Sequence, residues 1–239
     1  MAIQDNCVLW NKMENGALVS QIGPNGVVTG VPAFPAAKFN NGILSSINNY
    51  GTFNNIYPIG ASIIEFWWKP SFASGAAFWD YVILGTGGDR IQTVNITPAV
   101  SHLSVLAFQG GVRKAQYRHK PVWAANDLMH IAVVVDSAAG PTNRLKLYID
   151  GALEAVTAYT DDNAFVFGAP ETFNVGINNT NKNSARAVID NIKIYDSTAD
   201  LAGILANRNN EGWPVTGGKR MIDGGLLSSN MIGGNVLIG

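Results

Sequence analysis

Asp190 poses the sharpest chemical question in this chain. It is second in "IDNIKIYDS" (189–197), an otherwise apolar, strand-like run. Alternation along a strand puts Ile192 and Ile194 on one face and Asn191, Lys193 and Tyr195 on the other, so Asp190 is expected beside the isoleucines. A carboxylate there is costly unless something pairs with it. Other residue groupings offer less. His102, His119 and His130 are far apart in sequence, and Cys7 is the one cysteine, with no motif around it, so it is expected to pack rather than react. "GTGGDR" (85–90) lacks the last glycine of a dinucleotide loop and precedes no helix, and "GWPVTGGKR" (212–220) places Lys219 one residue too late for a phosphate loop. "RKAQYRHKPVW" (113–123) gathers Arg113, Lys114, Tyr117, Arg118, His119 and Lys120 into one basic-aromatic stretch. Such a stretch either contacts a ligand or forms a solvated edge that blocks strand pairing. It is too short, in a nearly neutral chain, to point to nucleic acid.

The elements that position these residues read as β-strands. The chain has 239 residues, 16 basic against 17 acidic, with charged residues 14% of the total. A chain of this length buries roughly 70–75% of its unfolded surface and needs no staples, and a single cysteine allows no internal disulfide. The near-zero net charge argues against electrostatic capture of nucleic acid or anionic lipid. The opening "MAIQDNCVLW" has no basic segment followed by an apolar one, so no export signal is expected. Uncharged apolar runs fall far short of the ~20 residues of a membrane helix.

Short β-branched and aromatic segments recur between Gly, Pro and Asn punctuation, at 25–31, 62–70, 79–86, 103–109, 129–137, 144–151, 173–178 and 191–197. One helix is expected near 199–208, within "ADLAGILANRNNEG". "HIAVVVDSAAGPTNRLKLYIDG" reads as a hairpin turning at Gly140 and Pro141, with Leu145, Leu147 and Ile149 on one face and Arg144, Lys146, Tyr148 and Asp150 on the other, a sheet half buried and half wet. In "SIIEFWWKP" the charged parity carries Glu65, Trp67 and Lys69, so Trp68 is expected in the core and Trp67 outside. From Trp213 the composition becomes Gly-rich and apolar, with no ionisable side chain after Asp223. Such a surface is poorly suited to water, and residues 213–239 are expected to form an assembly or docking tail, through Leu226, Leu227, Met231, Ile232, Val236, Leu237 and Ile238.

Together, "AKFNNGILSSINNYGTFN", "ASIIEFWWKP", the "MHIAVVVDS"/"RLKLYIDG" hairpin and the "FNVGINN"/"AVIDNIKIYDS" closing strands resemble the laminin-G-like jelly-roll family of the concanavalin A-like lectin/glucanase superfamily. The resemblance covers roughly residues 5–212 and implies an all-β, two-sheet antiparallel jelly-roll sandwich for residues 1–212. It also implies a role for Asp190. The matching acidic residue of the family opens the last strand and accepts backbone N–H groups, and in some members it also helps to ligate calcium. Asp190 is therefore expected as a structural clamp, with a calcium ligand as the alternative, and no other cofactor is expected. His130 stands where the family has a strand histidine, and Asp150 is expected to cap the turn with Gly151.

The fold also hosts glycoside hydrolases. The laminarinase-type members carry Glu-x-Asp-x-x-Glu on one strand, and that spacing is absent here, where Glu65 and Glu154 stand alone. A non-enzyme is expected, with a divergent glycoside hydrolase the least favoured reading. Lectin modules of this fold stack aromatic rings on sugars, which makes Trp67, Tyr148, Arg113, Tyr117, Arg118 and His119 candidate ligand-binding residues. Trp67 lying under a loop and Tyr148 covering a neighbouring strand are the bland alternatives. Low charge, the absent disulfide, the missing export signal and the unmatched tail suit a structural or adhesion protein of a phage virion surface, made in the host cytoplasm and assembled with other subunits. A carbohydrate-binding lectin module of an extracellular or cell-surface protein is the alternative.

Overall fold

In the computed structural model, residues 3–14, 16–46, 48–57, 59–74, 80–85, 87–96, 102–119, 122–156, 158–160, 163–176, 186–212, 219–222 and 225–228 are described. After a 3-10 turn at Ile3–Asn6, the strands are β1 (Cys7–Asn11), β2 (Ser20–Ile22), β3 (Val27–Thr29), β4 (Ile43–Leu44), β5 (Tyr50–Tyr57) and β6 (Ala61–Pro70). Then come β7 (Asp80–Gly85), β8 (Arg90–Ile96), β9 (His102–Gln109), β10 (Val112–His119), β11 (Met129–Asp136) and β12 (Leu145–Ile149). The chain continues through β13 (Ala152–Leu153), β14 (Ala158–Thr160), β15 (Glu171–Val175), β16 (Ala187–Tyr195), helix α1 (Leu201–Ala206), β17 (Lys219–Ile222) and β18 (Gly225–Ser228). Strands 1 to 16 form two antiparallel sheets. The first runs β13-β12-β11-β6-β16-β1-β2, with β4 also on β16, and the second runs β14-β10-β9-β8-β7-β15-β5-β3.

The core lies between these sheets and follows the period-2 pattern of the strands. Ile64 faces Val133, which faces Leu147, while Phe66 faces Ile131. All five are buried there or nearly so, against Leu103, Val105, Ala107, Tyr117, Phe173 and Val175 of the second sheet. Each fully buried aliphatic or aromatic side chain contributes roughly 1.5–3 kcal/mol, which a sandwich this size multiplies many times. Trp68, Phe72 and Trp123 pack edge-on, with Trp68 and Trp123 ring centres 5.4 Å apart, and the Trp123 indole donates to the Phe72 carbonyl at 2.9 Å. A second, smaller apolar cluster lies on the outer face of the first sheet, where Ile204 of α1 packs on Cys7, Trp10, Ile63, Val134 and Tyr195.

Two expectations are corrected. The basic stretch at 113–123 is not a sheet edge, because β10 pairs with β9 on one side and β14 on the other. The alternation through 189–197 also breaks. Asp190 pairs with Trp67 and Lys193 with Glu65, so β16 carries one extra residue, and Asn191 takes up the bulge at φ +50°. Asparagine tolerates that left-handed conformation better than most residues. The bulge leaves Ile189, Ile192 and Ile194 facing the core and turns Asp190 to the opposite face, with Lys193 and Tyr195. No described helix is long and apolar enough to cross a membrane.

Candidate functional site

Three places hold chemistry-bearing side chains. The first is the outer face of the first sheet. Glu65, only 3% exposed, has its Oε2 2.8 Å from His130 Nε2, while its Oε1 accepts from the Tyr195 hydroxyl at 2.8 Å and lies 3.4 Å from Lys193 Nζ. Burial alone would raise this carboxyl, but the Lys193 charge, the His130 bond and charge, and the Tyr195 hydroxyl together hold it below the ordinary range. Beside it the Cys7 thiol points at the Leu9 carbonyl, and burial pushes it up to about 12, so no thiolate is available as a nucleophile.

Asp190 belongs to the same face and answers the question its position raised. Its Oδ2 accepts the Phe39 N–H at 2.8 Å and so holds the 38–40 segment across the sheet. Under that segment lies Trp67, with Phe39 edge-on at 6.3 Å, His130 at 5.4 Å and Lys38 Nζ 4.4 Å from the ring centre. Trp67 is 5% exposed, which corrects the expectation that the charged parity of β6 faces water: its indole offers no open face for stacking. Asp190 itself is 1% exposed. Burial raises its carboxyl, the Phe39 N–H opposes this, and the balance is about 7. Tyr148 is half-buried and packs against the Ile63–Val134–Ile204 cluster. Among the described residues, no three His, Cys, Asp or Glu side chains gather so as to hold a metal ion.

The second place is β10. Its residues do not act as one patch, because alternation divides them. Tyr117 is buried in the core, and its hydroxyl donates to the Glu154 carbonyl. Arg113 and Arg118 are half-buried, Arg118 donating to Gln116 Oε1 at 3.3 Å. His119 ends the strand, with Nε2 2.9 Å from Glu154 Oε2 and Nδ1 2.8 Å from the Ala155 carbonyl. Lys120 lies outside the described residues.

The third place is a cleft of about 500 Å³ where the β10–β11 connection meets the β12–β13 turn. It is lined by His119, Val122, Asp127, Leu128, Met129, Ile149, Asp150 and Glu154. Local chemistry builds both walls. In one, the Asp127 carboxylate accepts the Ala124 N–H at 2.7 Å, and Asn126 takes φ +68° while donating its N–H to the Pro70 carbonyl at 2.7 Å. In the other, Asp150 and Gly151 have φ +52° and +87° between paired Ile149 and Ala152, the two-residue geometry of a type I′ hairpin turn. Asp150 Oδ1 also accepts the His130 N–H at 2.9 Å. Between the walls Val122 is 90% and Leu128 37% exposed, beside Met129 and Ile149. The cleft thus sets exposed apolar side chains beside three carboxylates held in place by hydrogen bonds, a combination suited to a ring with an apolar face and peripheral hydroxyls.

Of the residues nominated from sequence, only His119 lines this cleft. Val122, Asp127, Leu128, Asp150 and Glu154 were not nominated. The asparagine–aspartate and aspartate–glycine turn pairs are legible signals for the turns, but nothing in the sequence says that they converge. In the tail, Leu226 and Leu227 lie on β18, which pairs with β17, while Met231, Ile232, Val236, Leu237 and Ile238 lie outside the described residues.

Comparison with known proteins places this arrangement. Residues 48–204 match a family model, of laminin-G type, described as the Concanavalin A-like lectin/glucanases superfamily. No curated protein sequence matches. Among solved structures, domain 4 of AbnA, a GH43 extracellular arabinanase from Geobacillus stearothermophilus solved in complex with arabinotriose, is 17% identical with a TM-score of 0.60, over 82% of this chain and 98% of that one. The receptor-binding domain of the botulinum neurotoxin C/D mosaic serotype is 17% identical with a TM-score of 0.64, over 86% of this chain and 52% of the toxin domain. The botulinum neurotoxin DC binding domain, solved with rat synaptotagmin II, is 12% identical with a TM-score of 0.66, over 91% of this chain and 55% of that one. The chain thus spans about half the length of the toxin domains, and at these identities the likeness is one of fold. With the family match covering well over half of the 239 residues and two antiparallel sheets closing one core, this chain belongs to the laminin-G-like branch of the concanavalin A-like lectin/glucanase superfamily.

Proposed function

We propose that this chain is a non-catalytic adhesion module that binds carbohydrate in the cleft between the β10–β11 connection and the β12–β13 turn. The observation that carries the reading is a cleft in which exposed Val122 and Leu128 share the lining with Asp127, Asp150, Glu154 and His119. Apolar C–H faces of a pyranose or furanose suit such apolar side chains, and hydroxyl groups donate to carboxylate oxygens. The arabinanase domain of similar fold, solved with arabinotriose, gives the reading further support. A non-catalytic role is favoured because the Glu-x-Asp-x-x-Glu spacing of the laminarinase-type members is absent and Glu65 is enclosed in its own ionic cluster. Binding of neutral oligosaccharides on a glycan array tests this. The expected result is saturable binding that Asp127→Asn weakens, whereas a blank array contradicts it.

The wider setting is a phage virion surface, where the module decorates a capsid or tail and the apolar 213–239 segment docks on other subunits. Charge this low and a segment with no ionisable side chain after Asp223 support packing into an assembly. Light scattering on the full chain and on a chain ending at Gly212 tests the docking role. A self-associating full chain beside a monomeric shortened one is expected, and two monomers would contradict it and favour a lectin module of a cell-surface protein.

A further inference from the structure

The donor and acceptor inventory of the cleft goes further than the presence of a sugar-shaped space. Each lining carboxylate has one oxygen engaged within the protein: Asp127 Oδ2 with the Ala124 N–H, Asp150 Oδ1 with the His130 N–H, and Glu154 Oε2 with His119 Nε2. Among the described residues, nothing hydrogen-bonds their second oxygens, Asp127 Oδ1, Asp150 Oδ2 and Glu154 Oε1. Among the described residues His119 is the one basic side chain of the lining, and both of its ring nitrogens are occupied, by Glu154 and by the Ala155 carbonyl. Arg208, which packs against Gly151, donates to the Leu205 carbonyl at 2.8 Å and does not line the cleft. The remaining lining side chains, Val122, Leu128, Met129 and Ile149, donate nothing. Among the described residues the cleft therefore offers three fixed acceptors and no unengaged side-chain donor.

Resting on the carbohydrate reading, we infer that the cleft selects glycans bearing an ammonium group, of the glucosamine class, and rejects those bearing a carboxylate. An ammonium supplies three donors and a charge that complements Asp127 and Asp150, while a hydroxyl supplies one donor and no charge. A sialic or uronic acid brings a fourth carboxylate beside three others, with no unengaged side-chain donor among the described lining residues to receive it, which carries both repulsion and an unmet desolvation cost.

Calorimetry with three probes tests this: a β-1,4-linked glucosamine oligomer, its fully N-acetylated counterpart of equal length, and sialyllactose. The glucosamine oligomer is expected to bind about tenfold more tightly than the acetylated one, as two exposed charge contacts of up to about 1 kcal/mol each allow. That preference should shrink with added salt, and sialyllactose should give no heat of binding. In Asp127→Asn/Asp150→Asn both oligomers should bind more weakly, and the preference for the glucosamine oligomer over its acetylated counterpart should vanish. Asp150→Asn alone serves if the double variant is unstable, since asparagine is at home at φ +52°. Equal or tighter binding of the acetylated oligomer, binding of sialyllactose, or a preference unchanged in the variants would overturn the inference alone. Silence from all three probes would overturn the carbohydrate reading and this inference with it.

Discussion

The outer face of the first sheet and the cleft use the same residue types to opposite ends. On the sheet, Glu65 is surrounded by His130, Tyr195 and Lys193, and the Asp190 carboxylate anchors a segment that roofs Trp67. In the cleft, Glu154 also meets a histidine and Asp127 and Asp150 also hold backbone N–H groups, yet Asp127 and Asp150 are exposed and Glu154 only half-buried. Neither burial of an acid nor its pairing with a histidine marks a site. What distinguishes the two regions is access: Glu65 and Asp190 are enclosed by protein, whereas Asp127, Asp150 and the apolar Val122 and Leu128 beside them are exposed.

Substitutions can sharpen that contrast, starting from the largest expected effect. Glu65→Ala removes the buried carboxylate that Lys193, His130 and Tyr195 face, and a loss of about 3–5 kcal/mol in urea unfolding is expected, as for other broken buried pairs. Sugar affinity measured well below the lowered Tm should not change. Asp190 sets a pH dependence on the same face. Its carboxyl rises from the ordinary 3.8 to about 7 in the folded chain, so the protonated form is favoured there. The stability it contributes is complete below about pH 4 and is lost as pH rises through about 7, amounting to roughly 2–4 kcal/mol. Chemical denaturation of the native chain and of Asp190→Asn across pH 4–8 should therefore diverge, the native chain losing stability relative to the variant as pH rises. Parallel curves would show that Asp190 titrates as an ordinary carboxyl. The smallest effects belong to the cleft: Asp127→Asn should leave stability within about 0.5 kcal/mol while weakening sugar binding about two- to tenfold, the worth of one hydrogen bond.

Much of the sandwich was legible in the sequence because its core residues alternate. Ile64, Phe66 and Trp68, then Leu145 and Leu147, occupy the inner face as their spacing indicates. The hairpin from β11 to β12 and the helix at Leu201–Ala206 also stand where the residues place them. Alternation misled at two points for physical reasons. Asn191 in the left-handed region adds a residue to β16 and moves Asp190 across the sheet, and no propensity rule foretells a bulge that Trp10 stabilises by donating its indole N–H to Asn191 at 2.8 Å. Trp67 has the parity of an outward residue, but a sheet face is outward only if nothing else covers it, and Phe39 and Lys38 arrive from a segment nearly thirty positions away. The cleft was illegible for a similar reason. Its turns can be read one at a time, while their convergence depends on how β10 and β12, members of different sheets, end side by side.

The most direct measurement is an amide chemical-shift titration of the full chain with a glucosamine oligomer. Perturbations confined to Val122, Asp127, Leu128, Asp150 and Glu154, with Glu65, Trp67 and Asp190 silent, are the expected result. Perturbations centred on Trp67 and the β6–β16 face, or none at any concentration, would contradict the assignment of binding to the cleft and of the ionic cluster to the scaffold.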